Sequence, residues 1–184
     1  KLSAALAADH LPQLLLLTGP TGVGKQRLAL WLGQLVLCTG PSAGEPCGSC
    51  PSCRMALELS HPDLHWFFPL PRPKAGELDK QVGELEEALG EALAERRIHP
   101  LYARPDGMSG HFMATAQLVS RRASLTPAVS RRKVIVLGEA ERLVPQASSP
   151  EAANALLKLF EEPPAESLII LTAVDLSAIL PTIL

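Results

Sequence analysis

Three stretches of this chain carry residue types and spacings that can do chemistry. The first is Thr18-Gly19-Pro20-Thr21-Gly22-Val23-Gly24-Lys25-Gln26. Glycines at 19, 22 and 24 let the backbone turn tightly and aim successive N–H groups inward. Such a nest at a helix N-terminus suits a polyphosphate, with Lys25 reaching its outer phosphates. Gly19, Thr21, Gly22, Val23, Gly24, Lys25 and Gln26 are therefore the candidate nucleotide-binding residues. The last of them departs from the pattern. A Ser or Thr hydroxyl belongs after the lysine because it is a ligand of Mg²⁺, and the amide of Gln26 is a poor substitute. The cradle is built and the metal position is damaged.

The second stretch holds Cys38, Cys47, Cys50 and Cys53, all four cysteines of the protein within sixteen positions. The spacing C-x8-C-x2-C-x2-C, with Gly and Pro between, lets four sulfurs converge on one tetrahedral centre. A pair of disulfides is the competing reading, and a cytosolic compartment disfavours it. A catalytic thiol competes less well, because no histidine stands at an obvious partner spacing. Zinc in a closed, structural role is expected, and His61 and His65 are then left as structural or exposed residues.

The third stretch is the apolar run Val134-Ile135-Val136-Leu137 with Gly138-Glu139 behind it. A nucleotide-binding strand of this type would end in two acids, one anchoring the metal shell and one orienting the attacking water. Glycine stands in the first place. Glu139 in the second is either a vestigial catalytic acid or an ordinary acid at a helix start, and both readings stay open. The loss at 138 falls on the same ion as the loss at 26, so hydrolysis is not expected.

The elements that must position these residues follow from periodicity. Leu14 to Leu17 is a solid apolar run, and Leu28, Leu30, Trp31, Leu32, Leu35 and Val36 recur at helical spacing, which reads as strand, glycine loop and helix. Strands are expected near 13–17, 64–68, 133–137 and 167–172, forming a parallel sheet with helices on both faces. Helices are expected over 2–8, 55–60, 77–97 and 114–124, and from Pro150 to the Pro163-Pro164 stop. Residues 69–73 are proline-rich and break the pattern, 99–110 read as a loop, and 175–179 begin a helix or turn.

The chain has 184 residues, of which 47% are hydrophobic, enough for one ordinary core plus an insert. Net charge is −2, so any nucleic-acid contact would need local patches such as Arg121-Arg122 or Arg131-Arg132-Lys133. No apolar stretch is long enough to span a bilayer and no signal peptide is visible, which makes the cytosol the simplest compartment. Lys1 at the start and Pro181-Thr182-Ile183-Leu184 at the end read as the cut ends of an excised domain.

Taken together, Gly19 to Lys25, the four-cysteine module and Asn154-Ala-Leu-Leu-Lys-Leu-Phe-Glu-Glu-Pro-Pro164 resemble the bacterial clamp-loader family. The resemblance covers nearly the whole chain except about residues 72–110, which read as an insertion with a charged helix. It implies an AAA+ phosphate-loop α/β domain over 1–184 with a zinc module at 38–53. It further implies work in opening the sliding clamp of DNA polymerase III and placing it on primed DNA. The implied partners are the other loader subunits, gamma/tau and delta, and through them the clamp and primer–template DNA. Within the family, Gln26 and Gly138 favour the non-hydrolysing delta-prime type over the gamma/tau motor, which keeps Ser or Thr after the lysine and an Asp-Glu pair. A gamma/tau-like ATPase with unorthodox metal ligands is the alternative. The family's sensor residue falls at Thr172 or Ala173, while its Ser-Arg-Cys motif would come just after Leu184. A small-molecule kinase and a zinc-based DNA-binding module fit less well, for want of a substrate-lid pattern and of basic residues in the cysteine loop.

Overall fold

A computed structural model describes residues 2–7, 10–99, 109–143 and 151–174. After a short helix α1 (Leu2–Ala7), strand β1 (Leu14–Thr18) runs into the glycine loop and helix α2 (Lys25–Leu37). Helix α3 (Pro51–Leu57), strand β2 (Leu64–Phe67) and the two-residue strand β3 (Leu70–Pro71) follow. Helix α4 (Leu78–Ile98), strand β4 (Ser109–Gly110) and helix α5 (Met113–Ser124) come next, before strand β5 (Lys133–Leu137). A 3-10 turn at Ala140–Leu143, helix α6 (Glu151–Glu161) and strand β6 (Ser167–Ala173) complete the described chain.

Four strands form one parallel sheet in the order β1-β6-β5-β2. Its two central strands read as unbroken apolar runs because both of their faces are covered. Ile135, Leu137, Ile169 and Leu171 pack with α4, α5 and α6, through Leu85, Leu118 and Leu156 among others. Val134, Val136, Leu168 and Ile170 point the other way, against Ala29, Leu32 and Leu35 of α2. Each such side chain fully withdrawn from water contributes about 1.5–3 kcal/mol. The sheet is therefore the rigid platform, and the loops at its carboxyl edge inherit fixed positions from it.

The stretch beyond residue 71 departs most from expectation. The proline-rich break pairs: Leu70 and Pro71 lie antiparallel to Gly110 and Ser109 in a second, two-stranded sheet. The end of the expected 99–110 loop is thus a strand, because Leu70, buried at 5% exposure, needs a partner for its backbone. Helix α4 buries Val82 and Leu85 against α5 and so joins the main core. The helix expected over 55–60 instead starts at Pro51, which sits in its first turn behind the cap residue Cys50. Its end comes early, before Leu59 turns to a positive φ of 51°. The expectations for 175–179 and for Pro150 lie outside the described residues. No helix among the described residues is long and apolar enough to cross a membrane.

Candidate functional site

The glycine loop leaves β1 at the carboxyl edge of the sheet and enters α2 directly. Gly22 and Gly24 take φ of 83° and 93°, which side chains other than glycine rarely adopt. Gly24 is the cap residue of α2 and provides no side-chain cap, so the first N–H groups of the helix stay open toward the loop. Gly19 N–H donates to Val174 O at 3.0 Å, tying the loop to the end of β6. Lys25 Nζ folds over this cradle and donates to Gly19 O at 2.6 Å and Pro20 O at 2.9 Å. Thr21 and Val23 are exposed on its rim.

Gln26 lies where α2 faces the end of β5. Its Oε1 accepts a hydrogen bond from Trp66 Nε1 at 2.9 Å. A Cβ placed on Gly138 would stand only 2.6 Å from Gln26 Oε1 and 2.7 Å from its Cδ. The two departures read separately from the sequence are therefore one steric unit. Trp66 is itself held: its ring meets Phe68 edge-on at 5.0 Å, and the Arg96 guanidinium of α4 lies 4.9 Å from its centroid. The family-type Mg²⁺ does not fit this arrangement. The side chain that should offer a hydroxyl is an amide pinned to an indole, and a carboxylate at position 138 would have to push that amide off Trp66.

Glu139 follows Gly138 with a positive φ of 56°. Its N–H donates to Thr172 Oγ1 at 3.1 Å, and its carboxylate pairs with Arg142 Nε at 3.1 Å. Arg142 Nη1 in turn donates to Ser109 O and Oγ, both at 3.0 Å. Of the two sensor candidates, Thr172 is thus the one making a polar contact at the acid position, and it is fully buried. Glu141 was not singled out in the sequence. Burial raises its pKa, and the Lys25 charge opposes part of that rise. Buried His111 bonds Gly138 O through Nε2 at 2.7 Å, and burial pushes its pKa down to about 4. Nothing local in the sequence marks His111, since its partner lies 27 residues away.

The four cysteines come together as their spacing predicts. Their sulfurs all lie within 4.8 Å of one another, and Cys47 Sγ stands 4.0 Å from Cys53 Sγ. A tetrahedral zinc with bonds of about 2.3 Å requires sulfur separations of about 3.8 Å. No disulfide joins them. Backbone N–H groups support the sulfurs: Cys47 N donates to Cys38 Sγ at 3.3 Å, Cys50 N to Cys47 Sγ at 3.4 Å, and Cys53 N to Cys50 Sγ at 3.4 Å. The hydrogen bond from the Thr39 backbone brings the Cys50 thiol down to about 5, whereas burial pushes Cys53 up to about 12. The cluster can hold a metal ion. His61 and His65 stay out of it: His61 is buried and accepts from Asp63 N at 3.0 Å, and burial lowers the pKa of His65 to about 4.

One helix links the two places. Lys25 opens α2 and Cys38 closes it, so the glycine loop and the cysteine cluster stand about 20 Å apart on a single rigid rod. Fold and site together define an α/β protein with a parallel sheet, a glycine loop at its carboxyl edge and a four-cysteine cluster behind it. The family described as DNA polymerase III, delta subunit, matches residues 1–184, and the chain belongs to it. It is 33% identical over 169 residues to DNA polymerase III subunit delta′ of Pseudomonas aeruginosa, covering 91% of this chain and 39% of that protein. To subunit delta′ of Bacillus subtilis it is 26% identical over 180 residues, covering 98% and 42%. To subunit gamma/tau of Mycobacterium tuberculosis it is 28% identical over 182 residues, covering 99% and 24%. The chain spans about two fifths of the length of these delta′ relatives. A crystal structure of a DNA polymerase III gamma subunit-related protein from Thermotoga maritima has the same fold, with a TM-score of 0.58 at 17% identity, covering 100% of this chain and 43% of that one.

Proposed function

We propose that this chain is the AAA+ portion of a delta-prime-type subunit of the DNA polymerase III clamp loader. In this reading it supports loading of the sliding clamp onto primed DNA and does not hydrolyse ATP itself. The observation that carries it is the pairing of Gln26 with Gly138 in a chain of this family, since neither can serve the ion that phosphoryl transfer to water requires. The sheet order supports the AAA+ assignment: the glycine-loop strand lies beside the strand bearing Thr172, which lies beside the strand ending at Gly138 and Glu139. Its partners would be gamma/tau and delta, and through them the clamp and primer–template DNA. The cysteine cluster would hold one structural Zn²⁺, fastening the far end of α2.

The test is reconstitution. The full-length protein mixed with gamma/tau and delta should co-elute as one assembly and be required for clamp loading, while showing negligible ATP turnover alone. Failure to assemble would defeat the reading. A second reading, a gamma/tau-like ATPase, draws on the match to the mycobacterial gamma/tau subunit over 99% of the chain. Mg²⁺-dependent ATP turnover by the purified protein would favour it.

A further inference from the structure

The damaged metal position is not simply a gap, because a protein side chain fills it. Gln26 Oε1 is committed to Trp66 Nε1, which fixes which end of the amide is free. Among the described residues Gln26 Nε2 donates to no protein atom. The group left over is therefore an N–H donor beside Gly138, on the residue whose hydroxyl would be a metal ligand. An N–H donor attracts a phosphate oxygen and repels a cation. Gly138 makes room for this amide, since any Cβ there would collide with it at 2.6 Å. Trp66 holds the amide in place, and Arg96 of α4 stacks on the same indole.

We propose that Gln26, positioned by Trp66 and accommodated by Gly138, makes the glycine loop selective for a metal-free phosphate anion over its Mg²⁺ complex. The ligand class is an uncomplexed di- or polyphosphate, with the amide of Gln26 donating a hydrogen bond to a phosphate oxygen that the ion would otherwise hold and Lys25 supplying the charge. Gln26 is the specificity-determining side chain, and Trp66 is a positioning residue that acts through it. This deepens the non-hydrolysing reading and rests on it. The polar neighbours are consistent: Lys25 provides the positive charge of the cradle, and Glu139 is turned into its pair with Arg142.

The experiment is a calorimetric titration of the full-length protein with inorganic pyrophosphate, with and without excess Mg²⁺. The unmodified protein should bind pyrophosphate more weakly in Mg²⁺, by about tenfold, the worth of roughly one charge-assisted contact. In Q26S, and more so in Q26S/G138D, that ratio should invert, so that Mg²⁺ strengthens binding. W66F should move the ratio toward unity by freeing the amide to turn. A merely structural role for Trp66 would lower affinity in both conditions and leave the ratio alone. Binding by the unmodified protein that strengthens with Mg²⁺ would overturn the proposal. Absence of pyrophosphate binding in both conditions would overturn it too. Either failure would leave assembly with gamma/tau and delta untouched, so this inference and the proposed function can fail separately.

Discussion

Gln26 and Gly138 share one volume: the amide of the first occupies the space into which a side chain on the second would project, with a virtual contact of 2.6 Å. They come from different elements, the first turn of α2 and the carboxyl end of β5, and meet only because β5 lies in the middle of the sheet beneath that helix. Trp66 closes the arrangement from β2, which pairs with β5 in register so that Trp66 stands opposite Val136. Changing one member therefore changes the environment of the others.

The coupling is measurable as stability. Gly138→Asp alone should destabilise the fold by about 1 kcal/mol, because the new side chain displaces the Gln26 amide from its hydrogen bond to Trp66. Gln26→Ser alone should also cost about 1 kcal/mol, for the lost Trp66 hydrogen bond. The double variant should recover most of the Gly138→Asp cost, giving an interaction term of about 1 kcal/mol or more. Denaturant midpoints of the four proteins close the cycle. Strict additivity would mean that the two sites do not touch in solution.

Metal removal should be felt along α2. Purified without chelator, the protein should contain one zinc per chain, and Cys38→Ser or Cys53→Ser should each abolish stoichiometric binding. Because α2 ends at Cys38, loss of the ion should lower the thermal midpoint and loosen the last turns of that helix, read as faster amide exchange at residues 33–37. Protein without bound metal and with unchanged thermal stability would contradict this.

Much of the platform could be read in advance. Continuous apolar runs such as Val134 to Leu137 announce strands covered on both faces, and glycines 19, 22 and 24 before an apolar-periodic stretch announce a strand-to-helix turn. The cysteine spacing was equally direct, since four sulfurs that converge need little help from distant chain. What escaped were contacts set by long sequence separation. Trp66 meets Gln26 across 40 positions, and Arg142 meets Ser109 across 33. Local pattern carries no record of such meetings. For the same reason Glu139 could be weighed only as catalytic or ordinary, whereas its geometry shows a carboxylate paired with Arg142 and a backbone fixed by Thr172.

Acid should weaken the structure through His111. Burial holds its pKa near 4, below the ordinary 6.5, while it bonds Gly138 O. The unfolded chain then binds the extra proton first as pH falls, so stability declines from about pH 6.5 and levels off below about pH 4. At pH 5 the cost from this group is on the order of 2 kcal/mol. His111→Gln keeps an amide donor for Gly138 O but does not titrate. Its stability loss between pH 7 and pH 5 should therefore be smaller than that of the unmodified protein by about that amount. Protonation of the cysteine cluster or of His65 affects both proteins alike, so the difference between them isolates His111. Equal losses in urea denaturation would show that His111 does not titrate in this way.

Three helical glycines should respond in opposite directions to alanine. Gly33 faces the sheet: a Cβ there would meet Leu64 Cδ1 at 2.8 Å and Val134 Cγ1 at 3.2 Å. Val134 is fully buried, and its branched side chain has few ways to move. Gly33→Ala gains about 1 kcal/mol of helix propensity but pays an overpacking cost of about 1–3 kcal/mol, so it should be neutral to destabilising. Gly83 and Gly90 lie on the exposed side of α4, where an added Cβ meets nothing within 4 Å. Each should stabilise the protein by about 0.5–1 kcal/mol when replaced by alanine, because only the backbone entropy of the unfolded chain changes. Both sites sit on the helix that carries Arg96 to Trp66, so the gain should also appear as slower amide exchange around residue 96. A stabilising Gly33→Ala, or a destabilising Gly83→Ala and Gly90→Ala pair, would reverse the assignment of which helix faces meet the core.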